Sequence, residues 1–290
     1  MTSAQNPTAR RRELGVLLRA LRTERDWTVE YVAQQLLCSP SKVSRMETGH
    51  RGASARDIRD LCELYGIDDE QGERMMALAS EGRQRGWWQS LNLPYSTYIG
   101  LEAEAASISD YGVHVIPGLL QTADYAQAVL RTVAPDMAPE AVGQRVKGRI
   151  TRQRILTSED PPRFDAVVDE SVLHRVVGSP AIMLAQMEKV QQVSRLPNVS
   201  FRVIPFDAGL PPTLNAKFIV LRFERSAIPD VVYIELDSGD RYLDEPGDIW
   251  TYISVFSALL DIAATPEETR VIVDQKIADY RQRTRYPSAG

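Results

Sequence analysis

The chain has 290 residues, 43% hydrophobic and 25% charged, with a formal net charge of −5. That length accommodates two domains with ordinary buried cores, and the composition excludes a disordered chain. No apolar run reaches the roughly 18 residues of a membrane helix and the opening MTSAQNPTARRRE lacks a signal-peptide core, so a cytoplasmic protein without a membrane partner is expected.

The charge is unevenly spread. Residues 10–60 hold 11 Lys/Arg against 7 Asp/Glu, whereas from residue 86 onward 20 basic face 26 acidic side chains. A polyanion is therefore expected to meet the N-terminal part and not the remainder. Residues 1–9 are polar and expected to form a mobile arm, ending at Arg10, Arg11 and Arg12, which read as a solvated helix start or a phosphate contact. Leu14, Leu17, Leu18 and Leu21 then recur at i, i+3, i+4 and i+7, the stripe of an amphipathic helix.

The segment TVEYVAQQLLCSPSKVSRMETG, residues 28–49, has the spacing of two short helices set for insertion into a major groove. Thr28 is placed to cap the first, with Glu30 against its positive end. Ala33 is small enough for close helix packing. Ser39 and Pro40 restart helix at once, as N-cap and first helical residue. With Val43 and Met46 inward, Ser41, Lys42, Ser44 and Arg45 are expected outward, where short donors and cations suit base edges and phosphates. Arg51 joins the expected DNA-binding set: Thr28, Ser39, Pro40, Ser41, Lys42, Ser44, Arg45 and Arg51. An ordinary helical hairpin would share this pattern, but the flanking helices also fit: Ser54 and Asp57 form a capping-box pattern ahead of Ile58, Leu61, Cys62 and Tyr65. Residues 10–82 thus read as an all-α bundle of four or five helices.

This stretch resembles the Xre/Cro-type helix-turn-helix family, most clearly in SPSKVSRMETG. The resemblance implies a buried ion pair between Arg22 and Glu47 that orients the recognition helix. It also marks a departure: the turn, where the family usually has Gly, carries Leu37, so the turn is either strained or differently shaped. Cys38 and Cys62 both fall in this bundle and are expected as buried packing in a reducing compartment.

Residues 83–95 read as a linker or seam, with Trp87 and Trp88 either an interdomain wedge, the favoured reading, or one wall of a ligand pocket. A helix is expected near 96–108, an extended stretch around YGVHVIP, and a helix from the Thr122 cap to Arg131. Strands are expected at 164–170, 199–206, 216–223 and 231–236, more apolar than strict alternation and so covered on both faces. Helices are expected at 180–195 and along Ile249, Tyr252, Ile253, Phe256, Leu259, Leu260 and Ala263. The fold class is α+β overall, with an α+β domain at 96–283 and a mobile tail at 284–290.

The segments GLEAEA, PGLLQTADYAQAVL, DESVLHRVVGSP, LPNVSFRVIPFDAG and YIELDSGDRYLDE resemble a C-terminal domain of unknown function found in actinobacterial Xre-type regulators. The resemblance implies a bacterial regulator that sometimes works with a small partner protein. Catalytic and metal sites are not expected. His50, His114 and His174 lack partner ligands at local spacing, and no nucleophile elbow, phosphate loop or dinucleotide fingerprint occurs. Glu235, Asp237, Asp240, Asp244 and Glu245 gather at a hairpin around SGD and read first as solvated turn acids, as do Asp169 and Glu170. The expectation is a homodimeric transcription regulator that binds double-stranded DNA at an inverted repeat, without a cofactor, and senses a small-molecule effector or protein partner. An antitoxin-like protein that holds a small partner and autoregulates is the alternative, ahead of an enzyme fused to a DNA module.

Overall fold

A computed structural model describes residues 6–84, 86–88, 95–214, 217–224, 228–236 and 238–286. The chain forms two compact units, Met1–Glu104 with Phe223–Pro229, and Ala105–Arg222 with Asp230–Gly290. The division thus falls at 104/105, after the expected seam at 83–95.

The first unit holds α1 (Pro7–Thr23), α2 (Val29–Gln35), α3 (Pro40–Glu47), α4 (Ala55–Tyr65), α5 (Asp69–Glu81) and α6 (Ser96–Glu102). Helix α1 begins earlier than the arm at 1–9 allowed. Asn6 is its N-cap, accepting from the Thr8 and Ala9 amides, and Asn6 Nδ2 donates to the Gly100 carbonyl at 2.7 Å. Pro7, Thr8 and Ala9 are therefore helical and buried, while residues 1–5 lie outside the described residues. The three arginines are built into the helix as well. Arg12 is 4% exposed, Arg11 donates to the Pro7 carbonyl, and Arg10 pairs with Glu13 and Glu81. Neither a phosphate-seeking arm nor a solvated helix start describes them.

Leu14, Leu18 and Leu21 meet Val32, Val43, Met46, Ile58, Leu61 and Met75 in one core. Each fully buried side chain of this size contributes roughly 1.5–3 kcal/mol. Cys38 and Cys62 are free thiols, partly buried against that core. Burial raises the Cys62 thiol above its ordinary pKa.

The second unit is built on a six-stranded sheet in the order β3-β2-β1-β4-β5-β6. Its strands are β1 (Ser107–Gly112), β2 (Arg163–Asp169), β3 (Val199–Ile204), β4 (Lys217–Arg222), β5 (Val231–Ile234) and β6 (Arg241–Leu243). The first three are parallel; β4, β5 and β6 add antiparallel. Parallel neighbours need long crossovers. α7 (Ala123–Val133) and α8 (Pro139–Arg152) join β1 to β2, and α9 (Ser171–His174) and α10 (Pro180–Val193) join β2 to β3. α11 (Pro246–Ile262) and α12 (Pro266–Arg285) close the chain, so Thr284 and Arg285, expected in a mobile tail, are helical.

Phe256, Leu259 and Ala263 at α11 and its C-cap pack on Tyr111, Val167, Phe218, Val220 and Val232 of one sheet face. The opposite face presents Ile108, Phe164, Ala166, Val168, Phe201, Ile219 and Leu221, all buried. Both faces are covered, which accounts for strands more apolar than alternation gives. The helix expected at 96–108 ends at Glu102 and gives way to β1. The central strand is masked in the sequence by Ser107, Ser109 and the buried Asp110.

Candidate nucleic-acid interface

Thr28 caps α2, its Oγ1 accepting from the Tyr31 amide at 3.1 Å. Ser39 caps α3 through the Lys42 amide at 3.3 Å, with Pro40 at the first helical position. Val43 and Met46 are each 2% exposed and hold α3 on the core. Ser41, Ser44 and Arg45 are exposed on its opposite face, with Thr28, Ser39, Pro40 and Arg51 exposed nearby. The Arg51 amide donates to the Arg45 carbonyl at 2.9 Å, fixing the chain that leaves α3.

Lys42 departs from the expected outward cation. Its Nζ donates to Asp57 Oδ1, with the side chains 25% and 15% exposed. Asp57 is already ordered by the α4 capping box, its Oδ2 accepting from the Ser54 amide and hydroxyl, and so presents a fixed anion to α3. Burial alone would raise the Asp57 carboxyl, but the Lys42 and Ser54 hydrogen bonds outweigh it and hold the pKa below the ordinary value. A depressed folded pKa stabilises fully above the unfolded value near 3.9 and ceases to as pH falls through the folded value. Stability should therefore drop below about pH 4, with a shallower slope in Asp57→Asn, as read from urea midpoints between about pH 5 and 3. Identical slopes would show that Asp57 does not titrate in folding.

The structure brings Arg22 and Glu47 together in a two-pronged pair. Arg22 Nε and Nη2 donate to Glu47 Oε1 and Oε2 at 2.7 and 2.9 Å, and Nη1 donates to the Trp27 carbonyl at 2.8 Å. Side-chain exposures are only 13% and 5%. The Glu47 hydrogen bond raises the Arg22 pKa against the opposing effect of burial. Tyr65 is pushed up to about 12 by burial and by the Glu47 charge. Two turns earlier on α1, Gly15 has no room for a side chain: a Cβ there would lie 2.4 Å from the Glu47 carbonyl oxygen. That close approach is a feature the sequence reading missed; its signal was a glycine inside an otherwise apolar helix stripe.

Leu37 adopts the left-handed conformation its position demands, φ 50°, with 93% of its surface exposed. The turn keeps its shape and carries strain. A non-glycine residue there costs about 1–2 kcal/mol, and glycine adds about 0.5–1 kcal/mol of unfolded-state entropy. Leu37→Gly should thus stabilise by about 0.5–1 kcal/mol, seen as a higher urea midpoint. A lower midpoint would mean that the leucine side chain packs.

Trp88 is 2% exposed and Trp87 half-buried, edge to face at 5.9 Å. A Cβ on Gly86 would lie 2.5 Å from the Trp88 ring, so this glycine gives the indole its seat. Both tryptophans lie within the first unit. Of the hairpin acids, Glu235 is held by Lys217 and Asp240 accepts from the Tyr233 hydroxyl at 3.0 Å, so these two are tied and not simply solvated; Asp237 lies outside the described residues. Glu170 bonds His174 at 2.9 Å and the Phe206 amide at 3.0 Å. Among the described residues no group of three or more His, Cys, Asp or Glu side chains is placed to hold a metal. No single described helix is long and apolar enough to cross a membrane.

An exposed polar helix face seated on a small helical unit, followed by a mixed-sheet domain, defines a helix-turn-helix protein with an α+β C-terminal domain. Residues 13–75 match the family described as helix-turn-helix domain, a DNA-binding class that points to transcription regulation. Residues 95–275, more than half the chain, match the domain of unknown function DUF5753, and the chain belongs to that family. No curated protein and no solved structure matches it.

Proposed function

We propose that this protein is a sequence-specific transcription regulator of the Xre type, from an actinobacterium, that reads an inverted repeat as a homodimer in the cytoplasm. The observation that carries the reading is the exposed face Ser41, Ser44 and Arg45 on a helix whose inner side is fixed by Arg22, Glu47 and Gly15. One recognition helix spans only a half-site, so two copies placed about 34 Å apart are needed for a specific operator. The C-terminal domain is assigned dimerisation and the binding of an effector or partner, without catalysis.

Support for self-association comes from α11. It carries no charged residue from Ile249 to Leu260, and Trp250 is 71% exposed. An isologous contact sets the same surface against itself, which favours an uncharged face. Genome-wide mapping of bound sites, with footprinting and light scattering of the intact protein, tests the reading. A symmetric footprint protected by a dimer is expected, and Trp250→Asp should shift the protein towards monomer and weaken operator binding. A monomer protecting one asymmetric half-site is the contrary result. Co-purification of a small protein, with DNA binding confined to its own promoter, would favour an antitoxin-like role.

A further inference from the structure

The outer edge of the sheet presents an unmet pair of backbone groups beside a cavity. Strand β3 is an edge strand of the sheet, with β2 as its neighbouring strand. The carbonyls of Asn198 and Ile204 accept from the Phe164 and Glu170 amides, so even-numbered residues of β3 face β2 and odd-numbered ones face outward. At Val203 the chain itself covers the edge: the Val203 amide donates to Thr269 Oγ1 at 3.2 Å and its carbonyl accepts from the Ala264 amide at 2.8 Å. The Val199 amide turns back to the Leu196 carbonyl. Between them, the outward N–H and C=O of Phe201 meet no group from the described chain, although Phe201 is 3% exposed. Buried backbone groups are paired in more than about nine cases in ten.

Phe201 lines a cavity of about 330 Å³ on this outward edge, between α10, β3 and the start of α12. Val190, Val199 and Val273 give it apolar walls, and Arg195 and Arg270 supply positive charge. Arg195 is exposed, and Arg270 shares its charge with Glu267 at 3.2 Å. The volume lies at the small end of ligand pockets, which run from about 300 Å³ upward. The closure at Val203 leaves room for a short occupant and not for a long added strand.

We infer that this cavity binds a small amide-bearing carboxylate, such as an N-acylated apolar amino acid or the last residue of a peptide. The ligand's terminal residue pairs with Phe201 as an antiparallel neighbour would: its N–H donates to the Phe201 C=O, and one oxygen of its terminal carboxylate accepts from the Phe201 N–H. Its apolar side chain lies against the valines, and its carboxylate faces Arg195 and Arg270. The inference rests on the proposal that the C-terminal domain binds an effector, and names the effector's chemistry.

The test is a 15N–1H titration of the full-length protein with N-acetyl-leucine, N-acetyl-leucinamide and a pentapeptide ending in a free leucine carboxylate. N-acetyl-leucine should shift the Phe201 amide saturably and slow its hydrogen exchange. The uncharged leucinamide should bind at least about tenfold more weakly, one such decade corresponding to a single lost charged contact. Arg270→Gln should weaken the acid about tenfold and leave leucinamide unaffected. A pentapeptide tighter than the single residue identifies a protein C-terminus as the source, and a weaker one a free metabolite. A Phe201 amide unmoved by all three ligands at 10 mM, in a protein that still binds its operator, overturns the inference alone. Ligand binding in a protein that binds no operator would instead overturn the regulator reading.

Discussion

Arg22→Ala should destabilise the N-terminal unit by roughly 3–5 kcal/mol, because it strands the Glu47 carboxylate, 5% exposed, in an apolar surround. Glu47→Ala should cost a similar amount by stranding the guanidinium. Arg22→Met with Glu47→Leu removes both charges and replaces volume, so it should be milder than either single change. The pairing is bidentate and its third prong reaches the Trp27 carbonyl, so the apolar double variant still loses that anchor. Urea unfolding of the four proteins gives the cycle. Simple additivity would mean that the pair carries no coupling, whatever its geometry.

Changing Ser41, Ser44 and Arg45 together to alanine should abolish operator preference while leaving the fold intact, since all three side chains are exposed and none enters the core. Specific sites typically bind about 10³–10⁷ times more tightly than non-specific DNA, and the triple variant should fall towards the lower level. Arg45→Ala alone should cost about 1–3 kcal/mol if it makes a bidentate base contact. Lys42→Ala has a different expectation. With Nζ engaged by Asp57, its main effect should be on stability, and any DNA effect should be uniform across sequences. Anisotropy titrations on operator and scrambled duplexes at two salt concentrations separate these outcomes. Undiminished operator preference in the triple variant would place base reading elsewhere in the chain.

The parts most legible in the sequence were those governed by local rules. The caps at Thr28, Ser39 and Ser54, and the stripe of Leu14, Leu18 and Leu21, depend on neighbours within four residues, and the structure has each where the spacing puts it. Long-range contacts were less legible. Lys42 reads as an outward cation from its helix position, and only the approach of α4 shows that Asp57 captures it. The strand β1 was hidden by a buried Asp110, and α12 was overlooked although Thr265, Pro266 and Glu268 spell a capping box with proline at the first position. The mixed sheet order could not be read at all, because pairing β4 beside β1 is decided by a return across the sheet and not by either strand's own residues.

Helix α1 holds Glu47 at two points, its carboxylate by Arg22 and its carbonyl against the bare backbone of Gly15. Sliding α3 along α1 would break a bidentate bond and open a contact too tight for even one methyl group. The reading helix and its platform therefore move as a single rigid body. In the homodimer proposed above, a signal that controls the grip on DNA would reset the spacing or orientation of two whole readers and leave the angle at which each holds its helix untouched.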